Sequence, residues 1–287
     1  MSINTHTLDH IVHLTPPGSV KEASRQFTAL GFKVLPGGVH AGGLTENALV
    51  ILDDGVYLEL ISFTHPQSHY PPGSPERTDR DKNPWAYKSP GWIDFAFLGN
   101  GSRTNSVSDS INARARAHGD PDLYLPEQDG GRTRPDGRVL KWLISPPPVE
   151  SRGILPFFCG DVTPRALRVP SDPPSNSEHP STTKGISFVH AIVSSASFAQ
   201  VKSELVSVIG SPPVESTNER AAWELGTVHP GARQPRLVVS ISATEEQAAF
   251  LAETGSDIGI FEVGFRVAEG SQKGSGTTPY GKISWES

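Results

Sequence analysis

Leu8-Asp9-His10-Ile11-Val12-His13-Leu14 is the stretch whose reading decides the architecture. Apolar residues dominate it, and Pro16, Pro17 and Gly18 end it, as expected of a β-strand. Val20, Ala23, Phe27 and Leu30 follow at helical spacing, and Gly31 stops that helix. Residues 48–52 and 56–63 then read as strands joined by Asp53-Asp54-Gly55, a hairpin-type turn. The order is strand, helix, strands.

Working outward, the order recurs. Residues 92–98 read as a strand, 106–118 as a helix stopped at Gly119, and 139–144 and 155–159 as strands. Residues 186–193 form a third opening strand. A helix follows over 197–209, with Phe198, Val201, Leu205 and Val208 on one face. Later strands fall at 222–228, 237–241 and 260–267, with a short helix near 245–253. The expected units are 8–63, 91–162 and 186–267, followed by a Gly-, Ser- and Thr-rich mobile tail over 268–287 that Trp285 could dock on the body. Two linkers, 64–90 and 163–184, are rich in Pro, Ser and charge. Each is a surface decoration or a cover for a pocket.

Composition narrows the function. At 36% hydrophobic and 20% charged, the chain reads as soluble and globular rather than disordered. A formal charge of −6 leaves no basic footprint for nucleic acid and no attraction to an anionic membrane. A single cysteine, Cys159, rules out an intramolecular disulfide and fits a reducing compartment. The polar stretch from Met1 to His10 lacks the core of a signal peptide, and no apolar run approaches the roughly 20 residues that span a bilayer. The expectation is a cytoplasmic protein with a small-molecule substrate and no nucleic-acid or membrane partner; a homodimer stays open.

An ordered set of motifs carries a family resemblance. It comprises Leu8-Asp9-His10-Ile11-Val12, Ala29-Leu30-Gly31-Phe32, Pro36-Gly37-Gly38-Val39-His40, Glu46-Asn47-Ala48-Leu49 and Tyr57-Leu58-Glu59-Leu60. Gly91-Trp92-Ile93-Asp94-Phe95-Ala96, Arg134-Pro135-Asp136-Gly137 and Leu155-Pro156-Phe157-Phe158 continue it to about residue 160. Together they resemble the glyoxalase-like domain family of the vicinal oxygen chelate superfamily. The resemblance implies an α+β fold of repeated βαβββ modules whose mixed sheets curl, barrel-like, around a cavity. It also implies a divalent metal (zinc, nickel, iron or manganese) held by first- and last-strand residues, although some superfamily members bind ligands without one.

On that resemblance, His10 and Glu59 match the two ligand positions of the first unit. Imidazole nitrogen and carboxylate oxygen suit a divalent ion with open positions. His190 and Glu262 offer a similar pair in the third unit, so a shared cavity would hold His10, Glu59, His190 and Glu262. The second unit shows Asp94 at the position of His10 but no obvious last-strand Glu, a departure from the four-ligand glyoxalase pattern.

His40, in a glycine-rich stretch, is a candidate proton carrier beside Glu59. Asn47, Asp94, Arg134, Lys141, Trp92 and Trp142 are candidate substrate contacts: amide and cations for oxygens, indoles for walls. Arg132 and Arg138 read as solvated residues beside a turn at Pro135-Asp136-Gly137, and His13 as a packing residue on the opposite strand face.

Three functions fit this pattern. One is a metal-dependent enzyme with lyase or isomerase chemistry, or an iron-dependent dioxygenase. The second is a metal-free module that sequesters a small molecule, and the third is a degenerate scaffold with an interaction role.

Overall fold

The structure is a computed structural model that describes residues 3–134, 136–271 and 273–286. Pro135, in the expected turn, lies outside the described residues, as do Met1 and Ser2 of the N-terminal stretch and Gln272 and Ser287 of the expected tail.

The first half runs β1 (Leu8–Thr15), α1 (Val20–Ala29), β2 (Leu35–Val39), β3 (Thr45–Ile51), β4 (Tyr57–Phe63), α2 (Pro75–Asp81), β5 (Gly91–Leu98), α3 (Val107–Ala117), β6 (Gln128–Thr133), β7 (Val139–Ser145), β8 (Phe157–Asp161) and α4 (Arg165–Arg168). The second half runs β9 (Thr183–Val193), α5 (Phe198–Ile209), β10 (Glu215–Ser216), β11 (Arg220–Glu224), β12 (Arg236–Ile241), α6 (Glu245–Thr254), β13 (Ile258–Val267), β14 (Gly274–Thr278) and β15 (Gly281–Glu286). The sequence expectation of an α+β fold with curled mixed sheets holds.

The first eight strands form one sheet in the order β2-β3-β4-β1-β5-β8-β7-β6. Its edges meet: His40, just past β2, bridges to Arg132 of β6, and the Ala41 N–H donates to the Gly131 carbonyl at 3.1 Å. The sheet is therefore nearly closed, which hides its edge strands. The other seven strands form a second sheet, β10-β11-β12-β9-β13-β15-β14.

In the first sheet β1 pairs parallel with β4 and antiparallel with β5; in the second, β9 pairs parallel with β12 and antiparallel with β13. By that correspondence we propose that β12, rather than β13, ends the third unit. We propose that β13 opens a shortened fourth unit completed by β14 and β15. The segment expected to be a mobile tail is thus ordered into the sheet, because β15 pairs with β13 and β14 with β15.

Alternation along the strands sorts side chains to two faces. Ile11, Leu58, Leu60, Phe95 and Phe97 face outward and join the helices and the second sheet in one apolar core. Phe32 packs on Phe265 of β13, ring centroids 5.0 Å apart, across the join. His13 also faces this core, edge-on to Phe27 of α1 and Trp92, as expected of a packing residue. Burial holds it neutral, pushing its pKa down to about 3. Val12, Leu14, Ile61, Phe63, Ala96, Phe157 and Cys159 face the other way, into the barrel. Among the described residues no helix is long and apolar enough to cross a membrane.

Phe265 is fully buried at the join between the sheets. Phe265→Ala is expected to cost about 3–5 kcal/mol, read as a lower urea midpoint with one cooperative transition. Loss of the second sheet's signal before the first would contradict a shared core.

Candidate functional site

The site begins with an irregularity in β1. Neighbouring strand residues normally point to opposite faces, yet Asp9 Oδ2 accepts from His10 Nδ1 at 2.7 Å. The register between β1 and β5 slips between Leu8 and His10, a bulge that turns Asp9 toward the same side as His10.

Asp9 is completely buried, which alone would be costly. Arg168 of α4 compensates, with Nη1 donating to Asp9 Oδ2 at 2.9 Å and Nη2 to Oδ1 at 3.3 Å. Arg165 adds a second ion pair to Asp9. Asp161 grips Arg168 through two further bonds of 2.7 and 2.8 Å. Burial pushes the Asp9 carboxyl up, but the Arg168 and Arg165 guanidinium groups outweigh it and hold it well below the usual range. An ionised Asp9 only accepts, so His10 Nδ1 carries the proton it donates. The imidazole is stacked on Tyr57, centroids 4.6 Å apart, and edge-on to Phe157. Its Nε2 therefore projects into the barrel.

There it meets Glu59 of β4, whose Oε2 lies 3.8 Å away. Glu59 Oε1 lies 3.5 Å from His40 Nε2 and accepts from Asn47 Nδ2 at 2.6 Å. Asn47 is itself fixed, because its Oδ1 accepts from the Gly38 N–H at 3.1 Å and from Arg132 Nη1 at 3.2 Å. Gly37 makes room for this: a Cβ there would sit 2.0 Å from Asn47 Oδ1. His40 Nδ1 lies 2.8 Å from the Thr45 hydroxyl. Burial lowers the His40 pKa against the opposing pull of Glu59, and Arg132 and His10 lower it further, so the ring is neutral near pH 7.

These groups line a cavity of about 280 Å³ whose walls include Trp85, Trp142, Ile144 and Phe157. Trp142 lies directly over Gly130, where a Cβ would fall 2.2 Å from its Nε1. Both linkers reach the cavity: the first supplies Asn83 and Trp85, the second Arg168.

Of the candidates from sequence, His10, His40, Asn47, Glu59 and Trp142 come together. The others do not. His190 and Glu262 are neighbours on β9 and β13 of the second sheet and line a separate hollow there, so the four-residue set with His10 and Glu59 does not form. Successive units, one and two, share the cavity instead. Asp94 is fully buried and paired with Arg152, whose Nε donates to its Oδ2 at 2.8 Å and whose Nη2 lies 2.8 Å from the same oxygen, and it also accepts from Trp85 Nε1. Trp92 faces the opposite side, where its Nε1 donates to the Lys282 carbonyl at 3.1 Å.

Arg134 donates to the Leu167 carbonyl and pairs with Asp136, outside the cavity lining. Lys141 lines an outer groove. Arg132, expected to be solvated, is buried and lines the cavity, because β6 closes the barrel and turns it inward. Arg168 and Arg165 went unrecognised because a Pro-rich linker gives no signal of where its arginines will land. The one available hint was Asp9, an acid in an otherwise apolar strand that needs a cation.

A family model described as "Glyoxalase-like domain" matches residues 8–209. No curated protein matches the chain. Among solved structures, a hypothetical protein from Staphylococcus aureus superposes with TM-score 0.66 at 12% identity, covering 98% of both chains. A mutant 4-hydroxymandelate synthase from Streptomyces coelicolor gives TM-score 0.53 at 11% identity, covering 94% of this chain and 72% of the other. The Mn(II)-bound glyoxalase from Novosphingobium aromaticivorans gives TM-score 0.48 at 13% identity, covering 99% and 82%.

Asp9→Asn should destabilise the fold by about 3–5 kcal/mol at pH 7, since it leaves Arg168 short of buried countercharge. The depressed Asp9 pKa means this stabilisation is present above about pH 4 and is lost as pH falls through the folded value. Unfolding curves for the two proteins should converge toward low pH; a constant gap across pH 2–7 would contradict the ion-pair account.

Proposed function

The chain belongs to the glyoxalase-like domain family, and from that premise we propose that its first barrel performs proton transfer on a small oxygenated organic compound, as a lyase or isomerase. The observation that supports this reading is Glu59: one carboxylate with an imidazole 3.5 Å from one oxygen and another 3.8 Å from the second, inside a cavity.

In this reading the substrate's carbonyl and adjacent oxygen face Arg132, the one buried cation of the lining that borders both Asn47 and Glu59. Glu59 removes the proton from the carbon beside the carbonyl, and the electron pair moves to oxygen as an enolate that Arg132 stabilises. Return of the proton to the former carbonyl carbon, as the proton of the adjacent hydroxyl passes to the first oxygen, gives isomerisation; loss of a leaving group from the carbon on the other side of the deprotonated one gives elimination. Neutral His40 is placed to exchange a proton with Glu59 and to deliver it on the substrate side.

The resemblance implies a divalent metal, but the donors present are already engaged with one another. The Asn47 amide lies 2.6 Å from Glu59 Oε1 and 3.3 Å from His40 Nε2, so a hydrogen-bond donor already stands against both of the atoms that a cation between them would bind. In the second unit, Asp94 and Asp161 are committed to Arg152 and Arg168. Among the described residues no three His, Cys, Asp or Glu side chains converge as a metal site. The donors as arranged do not fit a metal, and no step is derived through one.

The second reading, sequestration without turnover, draws on the enclosure of the cavity by Trp85 and Trp142 from separate segments.

The test is deuterium uptake from D2O into the carbon beside the carbonyl of a panel of 2-hydroxy and 2-oxo compounds, followed by proton NMR. Glu59→Gln is expected to lower the exchange rate by about 10²–10⁴-fold while ligands still bind. Prior dialysis against a chelator should change the wild-type rate less than twofold. Binding without exchange would favour sequestration; exchange restored only by an added divalent ion would overturn the metal-free mechanism.

A further inference from the structure

The cavity is small. At about 280 Å³ it falls just under the ~300 Å³ lower end of sites that enclose a whole small ligand. It does not end there. A groove of about 670 Å³ runs outside the seam between β2 and β6 and shares His40, Gly130, Arg132 and Trp142 with the cavity. The groove thus adjoins the place where the chemistry is proposed.

The groove carries an unusual surface. Val39, Val139 and Val162 line it, and they are 49%, 54% and 53% exposed. Among the described residues only six large apolar side chains are at least this exposed, and three of them gather at one mouth. Lone exposed apolar residues need no explanation, but a cluster beside a cavity marks a contact surface. The groups that the proposed chemistry uses lie inward: Glu59, His10 and Asn47 line the inner cavity and not the groove, where Asp129, Thr133 and Lys141 stand beside the valines. One path therefore leads from the ionisable interior past Trp142 to a rim where three valines are exposed.

Resting on the reading of the cavity given above, we infer that the ligand is amphipathic: an oxygenated head enters the barrel while an apolar chain lies in the β2–β6 groove against Val39, Val139 and Val162. The chain leaves the barrel past Trp142, whose indole is shared by both spaces. A compact, fully polar substrate would leave the valines wet and the groove without a role.

Straight-chain 2-oxo carboxylates of three to ten carbons serve as probes, with binding followed by calorimetry. Affinity should rise by about fourfold for each methylene that enters the groove. In Val139→Asp and Val162→Asp the increment should fall below about 1.5-fold, whereas Val149→Asp, an exposed valine outside the groove, should keep it. Arg132→Met should weaken every member of the series.

Short acids that bind with no gain from chain length would overturn the groove assignment and leave the cavity reading standing. A gain that persists in both groove variants would place the chain elsewhere and overturn it as well. Failure of every acid to bind would remove the cavity reading together with this one.

Discussion

The carboxylate of Asp9 is the point on which the site depends. It sits on the first strand, fully buried, and strand geometry alone would send it away from the cavity. A bulge turns it toward His10, and two arginines from a later segment make its charge tolerable. Remove the arginines and the bulge would expose an unpaired anion to hydrocarbon, a cost of several kcal/mol. With them, the carboxylate fixes His10 by one hydrogen bond, and Tyr57 fixes the ring plane by stacking. Tyr57 also accepts from Arg168, so the ring's floor and its anchor are held by one guanidinium.

Around that anchor the barrel is assembled from segments far apart in sequence. β1 supplies His10, β4 supplies Glu59, the end of β2 supplies His40, and β6 supplies Arg132. The near-closure of the sheet between His40 and Arg132 brings the last two together. Asn47 then ties Glu59, Arg132 and the Gly38 backbone into one rigid unit, which is how an ionisable side chain in an apolar strand is kept in one orientation. The second sheet shares the core but not the cavity.

Much of this was legible in the sequence. The run 8–14, the helix ending at Gly31 and the hairpin at Asp53-Asp54-Gly55 mark a strand–helix–strands unit that recurs, and the family resemblance implied that its sheets curl. His10 and Glu59 were recognisable because they match ligand positions of the resembled family, and strand parity puts each on a definable face. Pairing between units was not legible, since His190 sits in a strand as similar to β1 as the sequence allows. Only the sheet order shows that it belongs to another sheet. Trp92 was misplaced for a local reason, a register slip in β5 opposite Val12 and His13 that breaks the alternation, and Asp94 because its carboxylate is taken by Arg152 and Trp85. Arg132 and Arg168 were missed because burial of an arginine depends on partners that arrive from distant segments.

The protonation of the His10 ring tests the account most directly. Nitrogen-15 NMR of the histidine rings in the intact chain at pH 7 reads which ring nitrogen bears a proton. The arrangement of Asp9, Arg165 and Arg168 requires a proton on Nδ1, directed at Asp9. A bare Nδ1 with the proton on Nε2 would mean that Asp9 does not hold this imidazole, and the proposed geometry of the site would fail with it.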